Sequence, residues 1–238
     1  MRPFLLATLA FFLLSLIKDP VLAGQPDHSR WNALLQKYVT VAGEVNYKGF
    51  RTEKAKLQTY LDELASHPVE AGWPTEEKLA YWINAYNAFT IKLIVDNYPV
   101  RSITDLHQGK PWDVKWIKLG NKTYSLNQIE NEIIRPQFKE PRIHFAVNCA
   151  AKSCPPLLNE AYTADKLDGQ LEKQSKAFIN NSAYNRIQAK SVQVSKIFEW
   201  YADDFGQLIA FLNKYSETRI QSNAKVGFEE YDWALNEQ

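Results

Sequence analysis

The sequence predicts an α+β fold: a predominantly helical single domain with short strands and hairpins. Three observations carry this. Apolar residues recur at helical spacing in several windows. Two short β-prone runs flank residues suited to tight turns. Neither repeats nor low-complexity stretches interrupt the chain, and no linker rich in Pro, Gly or Ser follows residue 30.

Residues 1–23 have the layout of a secretory signal peptide. Arg2 supplies a positive charge, Phe4 to Ile17 is nearly unbroken apolar sequence, and Val21-Leu22-Ala23 precedes an expected cleavage before Gly24. The apolar run stops at Lys18-Asp19-Pro20, short of the roughly 20 residues a bilayer span requires. The expected product is an exported globular domain, residues 24–238, periplasmic or secreted, with no stable membrane span after cleavage.

In that domain Trp31, Leu34, Leu35, Tyr38 and Val39 mark one helix, and Leu57, Tyr60, Leu61 and Leu64 another. The longest helix starts after Thr75, with Glu76 and Glu77 suited to the positive end of its dipole, and runs to about Asn97 before Pro99. Trp116–Leu119 and Lys122–Tyr124 flank Gly120-Asn121 as a hairpin. Ser125 and Gln128 form a capping box, opening a helix with Ile129, Glu130, Ile133 and Ile134 that is expected to end before Pro136. Ile143–Val147 reads as a buried strand. Thr163 is placed to cap a helix carrying Leu167, Leu171 and Phe178, and Ile187–Val194 reads as a second hairpin. Asp203 or Asp204 starts a last long helix through Leu212. The aromatic tail, with Phe228, Tyr231 and Trp233, is expected to pack back onto the body.

The formal charge is +1. Removing Arg2, Lys18 and Asp19 with the leader leaves 0. A neutral balance gives no electrostatic ground for nucleic-acid binding. The absence of a phosphate-cradling Gly-rich loop or dinucleotide fingerprint leaves no cofactor implied. A C-x₄-C pair with one nearby His departs from the spacing of structural zinc sites, so no metal is expected.

Four stretches together resemble the family catalogued as domain of unknown function 547. They are Tyr81-Trp82-Ile83-Asn84-Ala85-Tyr86-Asn87-Ala88, Tyr98-Pro99-Val100, Ser125-Leu126 with Ile129-Glu130, and Arg142-Ile143-His144-Phe145-Ala146 running on to Cys149 and Ser153-Cys154-Pro155. The closing Tyr231-Asp232-Trp233 with Leu235-Asn236 is similar to bacterial, exported members. Plant-type members share the Glu and the first Cys but not the second Cys or the His. The resemblance therefore implies Glu130 and Cys149 as the common centre.

Cys149 ends the apolar Ile143–Val147 segment and precedes Ala150-Ala151. A helical start there, with Arg142 and Lys152 nearby, would favour a thiolate. Three readings stay open: a nucleophile, half of a disulfide to Cys154 (the pairing that export favours), or a small buried hydrophobe. His144 is the tempting base. On a strand, however, it faces opposite to Cys149 and lies roughly 16 Å along the chain, so the two meet only if the chain turns sharply near Asn148. His107, in a polar loop, is a second candidate base, whereas His28 and His67 read as surface residues. Glu130 sits against the apolar stripe of its helix, so it is expected to be either ion-paired with Arg135, Arg142 or a Lys, or a general acid or base with a raised pKa. Asn84 and Asn87 share a helix face. Either they tie down backbone, or they line a substrate pocket with Tyr86. Among the Trp residues, most are expected in the core.

Two functions of different class follow. The first is a thiol-dependent acyl transferase or amide hydrolase acting on peptide-like envelope material, with Cys149, Glu130 and His144 catalytic and Asn84, Asn87 and Tyr86 binding substrate. The second is a non-catalytic binding or assembly protein for a small-molecule or peptide ligand, with a structural Cys149–Cys154 disulfide. A thiol–disulfide exchanger lacks the usual C-x-x-C spacing.

Overall fold

The computed structural model describes residues 24–238, so the leader lies outside the described residues. The fold is α+β and helix-dominated. Four helices come first: α1 (Ser29–Tyr38), α2 (Tyr47–Thr52), α3 (Lys54–Ser66) and α4 (Thr75–Asn97). The centre is α4, buried at every position from Leu79 to Ile91. A helix apolar on all sides has to be surrounded. α2 and α3 pack against it, as does the segment carrying Glu130. The hairpin is as expected: β1 (Ile117–Leu119) pairs antiparallel with β2 (Lys122–Tyr124).

The capping box also forms, with Gln128 N–H donating to Ser125 Oγ at 3.1 Å and Ser125 N–H to Gln128 Oε1 at 3.3 Å. The helix it opens does not stop at Pro136. It widens into a π-helical stretch, Gln128–Ile134, and continues as α5 (Arg135–Phe138). Arg135 N–H bonds back five residues to Glu130. Pro136 therefore lies inside a continuous helix, where the π-helical widening before it accommodates the missing N–H. The chain turns only at Lys139, which is left-handed.

Ile143–Val147 is not a strand. Pro141–Phe145 forms a 3₁₀ helix, opened by Glu140, whose carboxylate accepts the Arg142 N–H at 3.0 Å. A short apolar run is ambiguous between strand and helix by periodicity alone. Here Pro141 and the Glu140 cap decide it, and among the described residues no strand lies alongside to pair. Ile143 joins a first core cluster built around α4, while Phe145 joins a second cluster. This 3₁₀ helix is therefore the seam between two parts of one core.

The second cluster contains part of α6 (Leu167–Ile179) together with the elements that follow it. Thr163 does not cap α6. Its hydroxyl donates to Asp165, and Lys166 occupies the cap. β3 (Arg186–Gln188) and β4 (Ser191–Val194) form the second hairpin, joined by β5 (Lys225–Phe228) parallel to β4. A short helix, α7 (Ile197–Trp200), comes next, and the helix expected from Asp203 or Asp204 is two pieces, α8 (Ala202–Phe205) and α9 (Leu208–Tyr215). Gly206, at φ 62°, makes the break between α8 and α9. The tail does return to the body. Lys152 N–H donates to Ala234 O at 2.8 Å and Asn236 N–H to Ala150 O at 3.1 Å, so the tail is laced to the segment after Cys149. Among the described residues no helix is long and apolar enough to cross a membrane.

Asn84 and Asn87 are fastenings. Asn84 Nδ2 donates to Tyr162 O at 2.8 Å and its Oδ1 accepts the Tyr162 N–H at 3.0 Å. Asn87 Nδ2 donates to Ala146 O at 2.9 Å and its Oδ1 accepts the Asn148 N–H at 2.8 Å. Each amide closes a two-point clamp on backbone with no strand to satisfy it. Removing one leaves a buried N–H and C=O unpaired. Asn87→Ala is expected to lower the unfolding free energy by about 2–4 kcal/mol, measured by urea denaturation. An effect below about 1 kcal/mol would mean that the clamp is not what holds this segment.

Candidate functional site

The Asn87 clamp fixes the backbone just before Cys149. Asn148 continues the anchoring: its Nδ2 donates to Pro155 O at 2.9 Å, and its Oδ1 accepts the Ala150 N–H at 2.9 Å and Asn236 Nδ2 at 3.2 Å. Ala150 is left-handed, at φ 62°, so the chain turns back immediately after Cys149. The helical start expected at Ala150 does not exist, and the segment folds as a loop. Arg142 is also not a neighbour that tunes the thiol. Its guanidinium is bound by Glu140 and Asp168 at 2.7 and 2.9 Å.

Within this loop the sulfurs of Cys149 and Cys154 lie at bonding distance, as a disulfide. Cys149 is half-buried and Cys154 is buried. Both border a cleft of about 310 Å³ at the seam of the two core clusters. Glu130, His144 and Tyr86 line the same cleft, whereas Asn84, Asn87 and His107 do not. Of the three expected substrate-binding residues, only Tyr86 borders the cavity. His107 is exposed. His28 is buried rather than at the surface, with Nδ1 2.8 Å from the Tyr60 hydroxyl.

The strand argument that separated His144 from Cys149 falls with the strand itself. On a 3₁₀ helix followed by a sharp turn, both side chains reach one cavity. His144 Nε2 is 2.7 Å from Asp204 Oδ2, and its ring stacks on Tyr201 at 3.9 Å between centroids. Burial pushes its pKa down to about 4, against the opposing pull of Asp204. The ring is thus neutral at pH 7, and Nε2 donates to the carboxylate. Among the described residues Nδ1 is left as a buried acceptor without a partner. Partial burial pushes Asp204 up, but its bonds to Arg135 and His144 outweigh this and hold it below the ordinary carboxylate value. Arg135 grips Asp204 with two bonds, at 2.6 and 3.0 Å.

Arg135 is thereby engaged elsewhere, and the ion pair expected for Glu130 does not form. Burial pushes Glu130 up, while the Tyr201 and Tyr86 hydroxyls favour its charged form and temper the rise. The cleft's other wall is aromatic. Trp200 stacks on Trp233 at 5.9 Å, and Tyr231 lies against both at 4.7 and 4.6 Å. Trp112 packs on Trp233 at 5.5 Å.

A family model described as "Protein of unknown function, DUF547" matches residues 71–179. Over that stretch the chain is similar to the DUF547 family. No curated protein and no solved structure matches the chain. The DUF547 segment carries Tyr86, Glu130, His144, Cys149 and Cys154. Trp200, Tyr201, Tyr231 and Trp233, which close the cleft, come from beyond it, as does Asp204, which reaches the site through His144.

Asp204, Tyr201 and Tyr231 were not singled out as site residues from sequence. Asp204 reads as a helix start, and two tyrosines in an aromatic-rich chain carry no mark of a site. Their roles depend on partners 57 to 82 positions away in the chain.

His144 and His28 are both held neutral, each pushed down to about 4 mainly by burial. A depressed folded-state pKa on a base gives stability that is complete above the unfolded value, about 6.5, and is lost as pH falls toward 4. Thermal unfolding followed from pH 7 to pH 4 is expected to show a falling midpoint, equivalent to about 3 kcal/mol per ring. His144→Gln should remove its share of that slope. An unchanged slope in this variant would exclude a buried neutral His144.

Proposed function

We propose that the protein is exported and that its cleft performs thiol-dependent acyl transfer or amide hydrolysis on peptide-like material of the cell envelope. The carrying observation is the convergence of Cys149, His144 and Glu130 on one cleft, with His144 neutral, tethered to Asp204 and keeping an acceptor nitrogen that has no partner among the described residues. The leader-like residues 1–23 support export.

In the reduced protein, His144 Nδ1, which makes no bond to Cys149 while the bridge is closed, takes the Cys149 proton once the freed thiol reaches it, and the thiolate attacks a carbonyl carbon. Asp204 keeps the ring in the required tautomer and stabilises the imidazolium. As the C–N bond breaks, the leaving amine takes the proton back, and a thioester remains on Cys149. Water or an acceptor amine then removes the acyl group. Glu130, raised by burial, serves as the second proton carrier.

One observation favours a second reading: the sulfurs of Cys149 and Cys154 lie at bonding distance. With the bridge permanently closed there is no nucleophile. The aromatic-walled cleft would then bind a small-molecule or peptide ligand without reaction.

After mild reduction, the wild type is expected to be alkylated by iodoacetamide at Cys149 and to release p-nitrophenol from an acyl ester. Cys149→Ala should lose both signals. His144→Gln should cut acyl transfer by roughly 10²–10⁴-fold. A reduced wild type that alkylates normally but transfers no acyl group overturns the enzymatic reading in favour of the second. Exported material should begin at Gly24 by mass spectrometry, and an intact leader would overturn the export reading.

A further inference from the structure

The surroundings of the two sulfurs are unequal, and the inequality has a direction. Cys154 Sγ is the end point of two donors: the Cys149 backbone N–H at 2.9 Å and the Tyr231 hydroxyl at 3.3 Å. The same hydroxyl lies 3.1 Å from Cys149 Sγ. A sulfur in a closed disulfide carries no charge and is a weak acceptor, so two donors aimed at a buried one gain little. A thiolate at that position gains much more, because hydrogen bonds to charged acceptors are roughly twice as strong as neutral ones. The donors are thus better matched to Cys154 as a thiolate than to Cys154 as half of a bridge. Cys149 is the half-buried partner on the cleft, and Cys154 the buried one.

We infer that the Cys149–Cys154 bridge is a redox-active one that opens by thiol–disulfide exchange, with Cys149 the sulfur attacked from the cleft and Cys154 the leaving thiolate, held by Tyr231 and the Cys149 N–H. The co-reactant is a dithiol. Its thiolate attacks Cys149 Sγ and forms a mixed disulfide, while the Cys149–Cys154 bond breaks and its electron pair passes to Cys154. The second thiol, deprotonated, then attacks the dithiol's own bonded sulfur. The dithiol closes into its cyclic disulfide, oxidised by two electrons, and Cys149 departs as a thiolate. The two protons lost by the dithiol end on Cys149 and Cys154. Because one Tyr231 hydroxyl reaches both sulfurs, its proton follows the charge through both steps.

Tyr231 reaches this position through the tail. Ser153 N–H donates to Asp232 O at 3.2 Å, and Asp232 N–H donates to Ser153 Oγ at 2.8 Å. The half-buried phenol lies against Trp200 and Trp233. Burial pushes its pKa up, so it remains a proton donor across the pH range of thiol chemistry. This inference deepens the acyl-transfer reading by naming what frees its nucleophile. It is read by thiol mapping, which succeeds or fails whether or not the open form transfers acyl groups.

The test follows the bridge in the folded, full-length mature protein. Dithiothreitol is added, aliquots are quenched with an alkylating agent, and intact mass gives the rate of opening. Tyr231→Phe, which keeps the ring but not the hydroxyl, is expected to open roughly 10-fold more slowly, one thiolate hydrogen bond being lost from the leaving group. Tyr124→Phe, which removes a phenol hydroxyl away from the cleft, should stay within about two-fold. In parallel, reduced glutathione is added and acid-trapped peptides are mapped. Glutathione is expected on Cys149, with Cys154 free. Equal rates in the wild type and Tyr231→Phe, glutathione on Cys154, or a bridge that opens only in denaturant would each overturn the inference. A Tyr231→Phe protein with a lowered melting midpoint is judged by the glutathione map alone.

Discussion

Asn87 makes two hydrogen bonds, one to Ala146 O and one from the Asn148 N–H, from the most enclosed stretch of α4. The chain between the 3₁₀ helix and the cysteine loop has no strand or helix partner for these groups. Left alone it would carry unsatisfied polar backbone into the core, at a cost of about 1–3 kcal/mol per group. The amide removes that cost and fixes the place where the chain turns. Cys149 is one residue further on, and Asn148 hands the constraint forward to Ala150, Pro155 and Asn236. The cleft, the sulfur pair and the docking of the tail all inherit their positions from this clamp.

Around the clamp the protein separates two acids that might have behaved alike. Asp204, partly exposed, takes the Arg135 guanidinium and stays ionised beside His144. Glu130, buried and deprived of that cation, is left to phenol hydroxyls and its pKa rises. Charge is thus kept at the rim, and the acid at the floor holds its proton more tightly than an ordinary carboxyl. Pairs of groups driven apart in this way mark functional sites more often than random surface. The same seam holds a neutral imidazole and an electron-accepting sulfur pair, which fits chemistry of protons and thiols.

The cleft is also a joint product of the DUF547 segment and the chain beyond it. Glu130, His144 and Cys149 stand on one side, and Trp200, Tyr201 and Tyr231 on the other. His144 stacks on Tyr201, and Cys149 touches the Tyr231 hydroxyl. Neither side is a site without the other.

The sequence by itself determined the long central helix, both hairpins, the Ser125–Gln128 capping box and the return of the aromatic tail. Each rests on local rules: the period of apolar residues, turn chemistry, or a side chain bonding to backbone three residues away. It also marked Cys149, Glu130 and His144, because those residue types are costly or reactive wherever they sit in an apolar setting. It misjudged Ile143–Val147, since a five-residue apolar run does not distinguish strand from short helix. It also carried one helix pattern through Gly206, which breaks it, and stopped another at Pro136, which a π-turn accommodates. Only the tertiary structure decided which cation went to which acid, that His144 and Cys149 share a cavity, and that the Tyr231 hydroxyl reaches both sulfurs. Those facts depend on distances between residues tens of positions apart, and no local pattern encodes such a distance.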